Sequence, residues 1–257
     1  VLHNNALSRL PLERRRLAQV PTVTSLHVPP YDALRWFVTD SLVPGHRITV
    51  TSEAQRRTWW PEGAPPEVSV LHNGVDPAAW PFRDRGDGGA VWSGRIAPIK
   101  GTHHAVAAAR RAGLPLTLFG PIEDRDYWDA RIAPQLGGAI RYGGHLSGAA
   151  LAAEIGRASV FLFTPCWDEP FGLVAVEAMA CGVPVAGLAM GAAAEVVGEA
   201  GRLVPPDDGP ALARAIGDAL AIPRTVPHAR VLRLFTRERW LTRCEDLYAR
   251  AHRAAHA

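Results

Sequence analysis

The sequence has few cysteines, little net charge and no long hydrophobic run. Its three cysteines, Cys166, Cys181 and Cys244, are odd in number and widely spaced, which argues against a disulfide framework or a zinc site. No apolar run approaches the roughly 18 to 20 residues of a membrane-spanning helix, and no segment resembles a signal peptide. These absences predict a soluble protein of the cytoplasm, with peripheral association at the inner face of the membrane left open.

The formal net charge of +3 over 257 residues is too small an excess to predict binding to nucleic acid. A hydrophobic content of 47% is ample for a buried core in one large domain or two modest ones. The sequence begins with the apolar pair Val1-Leu2, as if inside a strand, so we expect it to lack an N-terminal segment.

Apolar runs rich in β-forming residues alternate with helical patterns along the chain. The predicted strands of the second part are 90–93, 116–119, 139–142, 160–163 and 183–186. The predicted helices are 102–112, 126–136, 148–158, 173–180 and 211–220. This alternation predicts an α/β fold with parallel sheets covered on both faces, and such sheets bind ligands at the carboxyl ends of their strands.

The first 80 residues show a weaker form of the same rhythm, with predicted strands at 22–27 and 48–51. The segment Arg83–Gly89 has the glycine and charge content of a linker. We therefore predict an incomplete N-terminal domain over 1–84, a second domain over 85–235 and a C-terminal helix over 236–257.

The most informative segment runs from Asp168 to Val185. Pro170 and Gly172 predict a tight turn, after which a helix begins near Leu173 with unpaired backbone N–H groups. Such a helix end favours a phosphate. Glu177 lies in the helix and Glu169 in the loop, so two carboxylates flank the turn and suit sugar hydroxyls. The alternative is an exposed loop acid followed by an ordinary amphipathic helix.

Two further groups of polar residues follow predicted strands. Arg95 and Lys100 bracket a turn that contains Gly94 and Gly101, where the two cations would neutralise a diphosphate. The alternative is a pair of solvated surface charges. His27 ends the predicted strand at 22–27, where it would donate a hydrogen bond near a reacting sugar, although a lone histidine is more often structural.

The order of these motifs resembles the retaining glycosyltransferases of family 4, which have the GT-B architecture of two Rossmann-like domains. The resemblance rests on Glu169 to Leu173 with Glu177, on the Gly-Arg and Lys-Gly pairs at 94–95 and 100–101, and on Asn73 to Asp76. It implies that Arg95 and Lys100 hold the diphosphate, that Glu177 binds the ribose and that Glu169 binds the donor sugar. Its other implied donor-binding residues are Phe171, Gly172 and Leu173 through their backbone, Gly94 in the Gly-Arg pair, and His145 and Leu146, which with Gly144 would lie by the nucleobase. It implies that His27 is the active-site histidine.

The resemblance implies transfer of a sugar from a uridine or guanosine diphosphate sugar to an acceptor hydroxyl, with retention of the anomeric configuration. The acceptor class stays open among small molecules, lipids and glycans, and no metal is expected because no Asp-x-Asp pair is placed to hold one. The competing hypotheses are a nucleotide-sugar epimerase, a non-catalytic module that binds sugar nucleotides, and a merely structural Rossmann-like protein.

Overall fold

The structure is a computed structural model that describes residues 1–6, 8, 10–12, 20–206 and 208–256. It confirms an α/β fold with two parallel sheets, one of four strands and one of six. The sheets belong to two compact units, the first formed by Val1–Gly74 with Arg237–Ala257 and the second by Val75–Thr236. None of the described helices is long and apolar enough to cross a membrane.

The chain leaves the first unit at Gly74, before the boundary expected from the sequence at 84–85. The segment expected to be a linker is hydrogen-bonded to the second unit. The Arg83 amide donates to the Cys181 carbonyl over 3.1 Å, and the Asp87 amide donates to the Arg157 carbonyl over 2.8 Å. Its glycines and charges therefore belong to a surface loop of the second unit, because such residues are common in any exposed turn.

The first unit contains a parallel sheet with the strand order β1-β2-β3-β4. Its strands are β1 (Leu2–Asn4), β2 (Thr22–Leu26), β3 (His46–Val50) and β4 (Val68–Val70), and its helices include α1 (Asp32–Asp40), α2 (Glu53–Trp59) and α9 (Arg237–Ala255). Leu26, Ile48 and Val50 pack with α1 and α2. Val23 packs with Leu247 of α9. The alternation of side chains along each strand thus buries both faces of the sheet.

The second unit contains a parallel sheet with the strand order β10-β9-β8-β5-β6-β7. The strands are β5 (Ala90–Ser93), β6 (Leu116–Phe119), β7 (Ile140–Tyr142), β8 (Val160–Phe163), β9 (Val185–Leu188) and β10 (Gly201–Val204). The helices are α3 (Thr102–Arg111), α4 (Gly148–Arg157), α5 (Leu173–Ala180), α6 (Ala193–Val197), α7 (Gly209–Leu220) and α8 (Thr225–Leu234).

The strand order of the second unit reverses between β5 and β8. The chain runs from β5 outward through β6 to β7, and then returns to β8 on the opposite side of β5. Where two neighbouring parallel strands connect to opposite sides of a sheet, the loops that follow them diverge and leave a crevice. Ligands bind in such crevices. The loops that follow Ser93 and Phe163 therefore lie side by side at the crevice of this sheet.

One helix predicted from the sequence, over 126–136, is irregular in the structure. It consists of a turn at Arg125–Tyr127, a π-helical segment at Trp128–Ile132 and a 3-10 turn at Ala133–Gln135. Pro134 lacks the backbone N–H that an α-helix needs at this position, which explains why regular hydrogen bonding stops before it. The sequence-based assignment also missed β10, whose four residues include a glycine and an arginine and so form no apolar run.

Candidate functional site

A cavity of about 170 Å³ lies at the carboxyl ends of β5 and β8. Its walls include the side chains of Trp92, Phe163 and Thr164. Five residues predicted to belong to the site also line it: Gly94, Lys100, Glu169, Gly172 and Leu173. Residues that are far apart in the sequence thus meet at the reversal point of the sheet.

The loop after β5 ends in a 3-10 turn at Pro98–Lys100, and Gly101 then starts α3 with a left-handed φ of 61°. A Cβ atom at Gly101 would overlap the carbonyl oxygen of Thr164 in the neighbouring loop. The Cys166 amide donates to the Ile99 carbonyl over 2.8 Å. Only glycine permits both the conformation and the close approach, so the two loops are fixed against each other.

Lys100 and Glu169 form an ion pair across these loops. The Lys100 Nζ lies 2.8 Å from Oε2 of Glu169, and the side chains are only 21% and 11% exposed. The indole Nε1–H of Trp167 donates to the same oxygen over 2.7 Å. A partly buried carboxylate with two donors on one oxygen is held in a defined position.

The amino end of α5 forms another wall of the cavity. Gly172 precedes the helix with a φ of 86° and a ψ of 54°, and no described side chain caps this end. A Cβ atom at Gly172 would lie 2.6 Å from the Phe163 ring. Phe171 is buried and packs edge-on against Phe235, so its backbone and not its ring is available to a ligand. The uncapped N–H groups and the helix dipole favour an anion at this wall.

Glu177 is half-buried in the second turn of α5 and does not line the cavity. Burial raises the pKa of its carboxyl group to about 7. The carboxylate is disfavoured there because low-dielectric surroundings replace its hydration. Hydroxyl groups that donated hydrogen bonds to it would stabilise the charged form, as a ribose ring would.

Arg95 lies at the rim of the site rather than in the cavity. Its guanidinium donates to the Glu123 carboxylate, with Nη1 2.6 Å from Oε1, and both side chains are about half exposed. Such an exposed pair contributes little stability. Both cations predicted to hold a diphosphate are thus paired with a carboxylate, Arg95 at the surface and Lys100 inside.

Two predicted base-binding residues lie in the loop between β7 and α4 and do not line the cavity. His145 is exposed and Leu146 is half-buried. The preceding Gly144 carbonyl accepts from the Gly120 amide over 2.9 Å, which ties this loop to the end of β6. The structure therefore places them at the same edge of the sheet as the cavity, two strands away from β5.

His27 belongs to the first unit, at the end of β2. Its Nε2 lies 3.1 Å from Oδ1 of Asn5, which follows β1. Desolvation by neighbouring groups lowers the pKa of His27 below its usual value. Burial and the nearby His27 also lower the pKa of His3. His27 is therefore neutral near pH 7, and its single N–H, on Nε2, donates to Oδ1 of Asn5.

Among the described residues, no group of three or more histidine, cysteine, aspartate or glutamate side chains is placed to hold a metal ion. Asp124, which belongs to the acidic segment beside Arg95, instead accepts a hydrogen bond from the Tyr127 amide over 2.8 Å.

Residues 89–221, which contain this cavity, match the model of the family described as Glycosyl transferases group 1. The chain belongs to that family. A glycogen synthase of Mycobacterium tuberculosis is 36% identical over 169 residues, which cover 61% of this chain and 41% of the relative. A phosphatidyl-myo-inositol mannosyltransferase of Mycolicibacterium smegmatis is 30% identical over 231 residues, covering 82% of this chain and 58% of the relative. The chain thus spans about half the length of these relatives.

Solved structures support the same fold. Sucrose-phosphate synthase from Thermosynechococcus elongatus superposes with a TM-score of 0.83 at 25% identity, over 98% of this chain and 73% of that protein. The two parallel sheets match this GT-B glycosyltransferase fold, which confirms the predicted architecture. His27 lies outside the segment matched by the group 1 glycosyltransferase family, whereas the other predicted site residues lie inside it.

Sequence reasoning missed two residues that contact predicted site residues, Trp167 on Glu169 and Glu123 on Arg95. Trp167 stands beside the motif that starts at Asp168, and an indole N–H two residues from a glutamate was a usable signal. Glu123 lies 28 positions from Arg95 and gave no local signal. The contact between Arg95 and Glu123 depends on the pairing of the loops after β5 and β6. The Ile96 amide donates to the Pro121 carbonyl over 2.8 Å and holds these loops together.

Proposed function

We propose that the second unit binds a uridine or guanosine diphosphate sugar, and that the whole protein transfers the sugar to an acceptor hydroxyl. The observation that carries this proposal is the cavity at the reversal point of the sheet. There a partly buried lysine, a partly buried glutamate and an uncapped helix end converge. A ligand with both an anionic and a hydroxylated part suits these walls.

In this proposal the diphosphate lies between Lys100, Arg95 and the amino end of α5. Negative charge develops on the diphosphate as the bond to the sugar breaks, and groups fixed in advance stabilise it without reorganising. The Arg95 guanidinium exchanges its exposed partner Glu123 for phosphate oxygens. That exchange costs little, because solvent screens the surface ion pair.

The two glutamates bind hydroxyl groups in this proposal, Glu169 on the donor sugar and Glu177 on the ribose. Glu169 reaches the cavity directly. Glu177 accepts hydrogen bonds from ribose hydroxyls as a carboxylate, so ligand binding lowers its pKa from about 7 and releases a proton. The nucleobase lies by His145, which is exposed, and Leu146, which is half-buried.

The proposed transfer retains the anomeric configuration. The bond from the anomeric carbon to the phosphate oxygen breaks, and its electron pair leaves with the diphosphate. The acceptor oxygen bonds to that carbon on the same face, while the hydroxyl proton passes to the departing phosphate oxygen. The Nε2–H of neutral His27 exchanges its acceptor Asn5 for an oxygen of the reacting sugar. NMR of the product formed by the whole protein tests this step, and an inverted anomer would contradict it.

Calorimetric titration with uridine and guanosine diphosphates tests the donor site directly. We expect one nucleotide to bind this chain, with Arg95→Ala and Glu177→Ala each weakening it about 10- to 150-fold. This range corresponds to roughly 1.5 to 3 kcal/mol for a lost charge-assisted hydrogen bond. Arg110→Ala, on the outer end of α3, is the matched control for loss of a surface arginine. Affinity unchanged in both site variants would remove these residues from the proposed site.

A further inference from the structure

Trp167 is hydrogen-bonded to the carboxylate of Glu169, which is proposed to bind the donor sugar. Its indole Nε1–H donates to Oε2 of Glu169 over 2.7 Å. The Lys100 Nζ donates to the same oxygen over 2.8 Å. The Glu169 amide donates to the Trp167 carbonyl over 2.7 Å, so a tight turn fixes the spacing of the two side chains. One carboxylate oxygen therefore takes both protein donors.

The second oxygen of Glu169 is left for another donor. No described residue donates a hydrogen bond to Oε1, although the residue is only 9% exposed and lines the cavity. A carboxylate accepts about four hydrogen bonds, and Oε1 is not among the buried polar atoms that lack a partner, so it is open to a donor in the cavity. A hydroxyl group in the cavity would satisfy this oxygen.

Trp167 also holds the cation of the pair. The Lys100 Nζ lies 4.7 Å from the centroid of its ring, within the range of a cation–π interaction. Lys100, Glu169 and Trp167 thus contact one another in all three combinations. A lysine is a flexible point charge and by itself does not orient the plane of a carboxylate, whereas a rigid indole N–H does.

We propose that Trp167 is a positioning residue that turns the Glu169 carboxylate so that Oε1 accepts hydrogen bonds from the ring hydroxyls of the donor sugar. The inference rests on the proposed function and adds a determinant of sugar binding, distinct from diphosphate binding. Without the indole donor, the carboxylate rotates about its terminal torsion and the two oxygens lose their separate roles.

Trp167→Phe tests the proposal because it retains an aromatic ring over Lys100 and removes the N–H. In the ligand-free protein, the indole resonance lost in this variant identifies Trp167 in a proton–nitrogen NMR spectrum. Glu169→Ala should then accelerate exchange of that indole proton with solvent at least tenfold. An unchanged exchange rate would overturn the contact, and this measurement needs no ligand.

Calorimetry of the same proteins supplies the second measurement, with UDP-glucose against UDP and GDP-mannose against GDP. Trp167→Phe should bind the free diphosphate within twofold of the wild type and the sugar nucleotide about tenfold more weakly. Equal losses for both ligands, or no loss, would overturn the positioning role. Trp128→Phe, a buried tryptophan of the same unit outside the cavity lining, should leave both affinities within twofold.

The two measurements separate the two possible failures. If no nucleotide binds the wild type while the indole proton still responds to Glu169→Ala, the proposed donor site is wrong and the ligand role of Trp167 is wrong with it. If nucleotides bind but Trp167→Phe does not distinguish sugar nucleotide from diphosphate, only the positioning role is wrong.

Discussion

Glu169 and Glu177 lie eight positions apart on one loop and helix, and their surroundings differ in kind. Glu169 contacts a lysine and an indole N–H, which stabilise its charge in a partly buried place. Glu177 has no comparable donor among the described residues, and burial alone raises its pKa to about 7. A carboxylate that the protein itself satisfies is positioned before the ligand arrives. One that the protein leaves unsatisfied makes the fold less stable until a ligand supplies the donors.

The largest change in stability is expected from a substitution that forces apart the two loops around the Lys100–Glu169 pair. Gly101→Ala adds a Cβ that overlaps the Thr164 carbonyl at a left-handed φ of 61°. We expect a loss of about 2 to 4 kcal/mol in the free energy of unfolding, from the strained backbone and the overlap together. Urea unfolding followed by circular dichroism measures it.

Gly113→Ala is the matched control for Gly101→Ala, because Gly113 follows the other end of α3. Its φ of 66° is nearly the same, but a Cβ there meets nothing within 4 Å. The free energy of unfolding of Gly113→Ala should fall by about 1 kcal/mol, from backbone strain alone. Equal losses at the two glycines would mean that the approach of the two loops contributes nothing.

A smaller change in stability, a gain instead of a loss, is expected when the charge of Glu177 is removed. The folded-state pKa of Glu177 is raised to about 7, so the folded protein binds the proton more tightly than the unfolded chain does. Stability is therefore lost as pH rises from about 4.5 to 7. Glu177→Gln should raise the free energy of unfolding by about 2 kcal/mol at pH 8 and change it little at pH 4.5.

Urea titrations at the two pH values measure this difference for Glu177→Gln against the wild type. Glu154→Gln, which removes an exposed ion pair with Arg157, is the control and should change stability by less than about 1 kcal/mol at either pH. A Glu177→Gln variant that is no more stable than the wild type at pH 8 would contradict the account of an unsatisfied carboxylate.

The smallest effect concerns the exposed pair at the rim. Removing the charge in Glu123→Gln frees Arg95 from its surface partner, so a nucleoside diphosphate should bind about two- to fivefold more tightly. This range corresponds to about 0.5 to 1 kcal/mol for an exposed ion pair. Calorimetry measures this gain in affinity.

The double variant Arg95→Ala with Glu123→Gln is the control and should bind the nucleoside diphosphate no more tightly than Arg95→Ala alone. An equal gain in affinity there would show that Glu123 acts by long-range repulsion of the ligand instead.

Much of the second unit followed from the sequence. The strands at 90–93, 116–119 and 160–163 and the helix at 173–180 coincide with the observed bounds, because their apolar runs end at glycine, proline or polar residues. The turn at Gly172 was also predicted. The short strand β10 and the irregular helix at 125–135 were not, since short apolar runs and a proline in a helical pattern are ambiguous without tertiary contacts.

The sequence by itself determined the α/β alternation, the uncapped helix end after Gly172 and the residue types around it. These features depend on local periodicity and on backbone groups that lie close together in the chain. Only the tertiary structure decided that Glu169 is paired, whereas Glu177 has no partner among the described residues. It also decided that Arg95 contacts Glu123 and that Trp167 contacts Glu169. Burial and ion pairing depend on which loops the strand order brings together, and strand order is not written in local sequence.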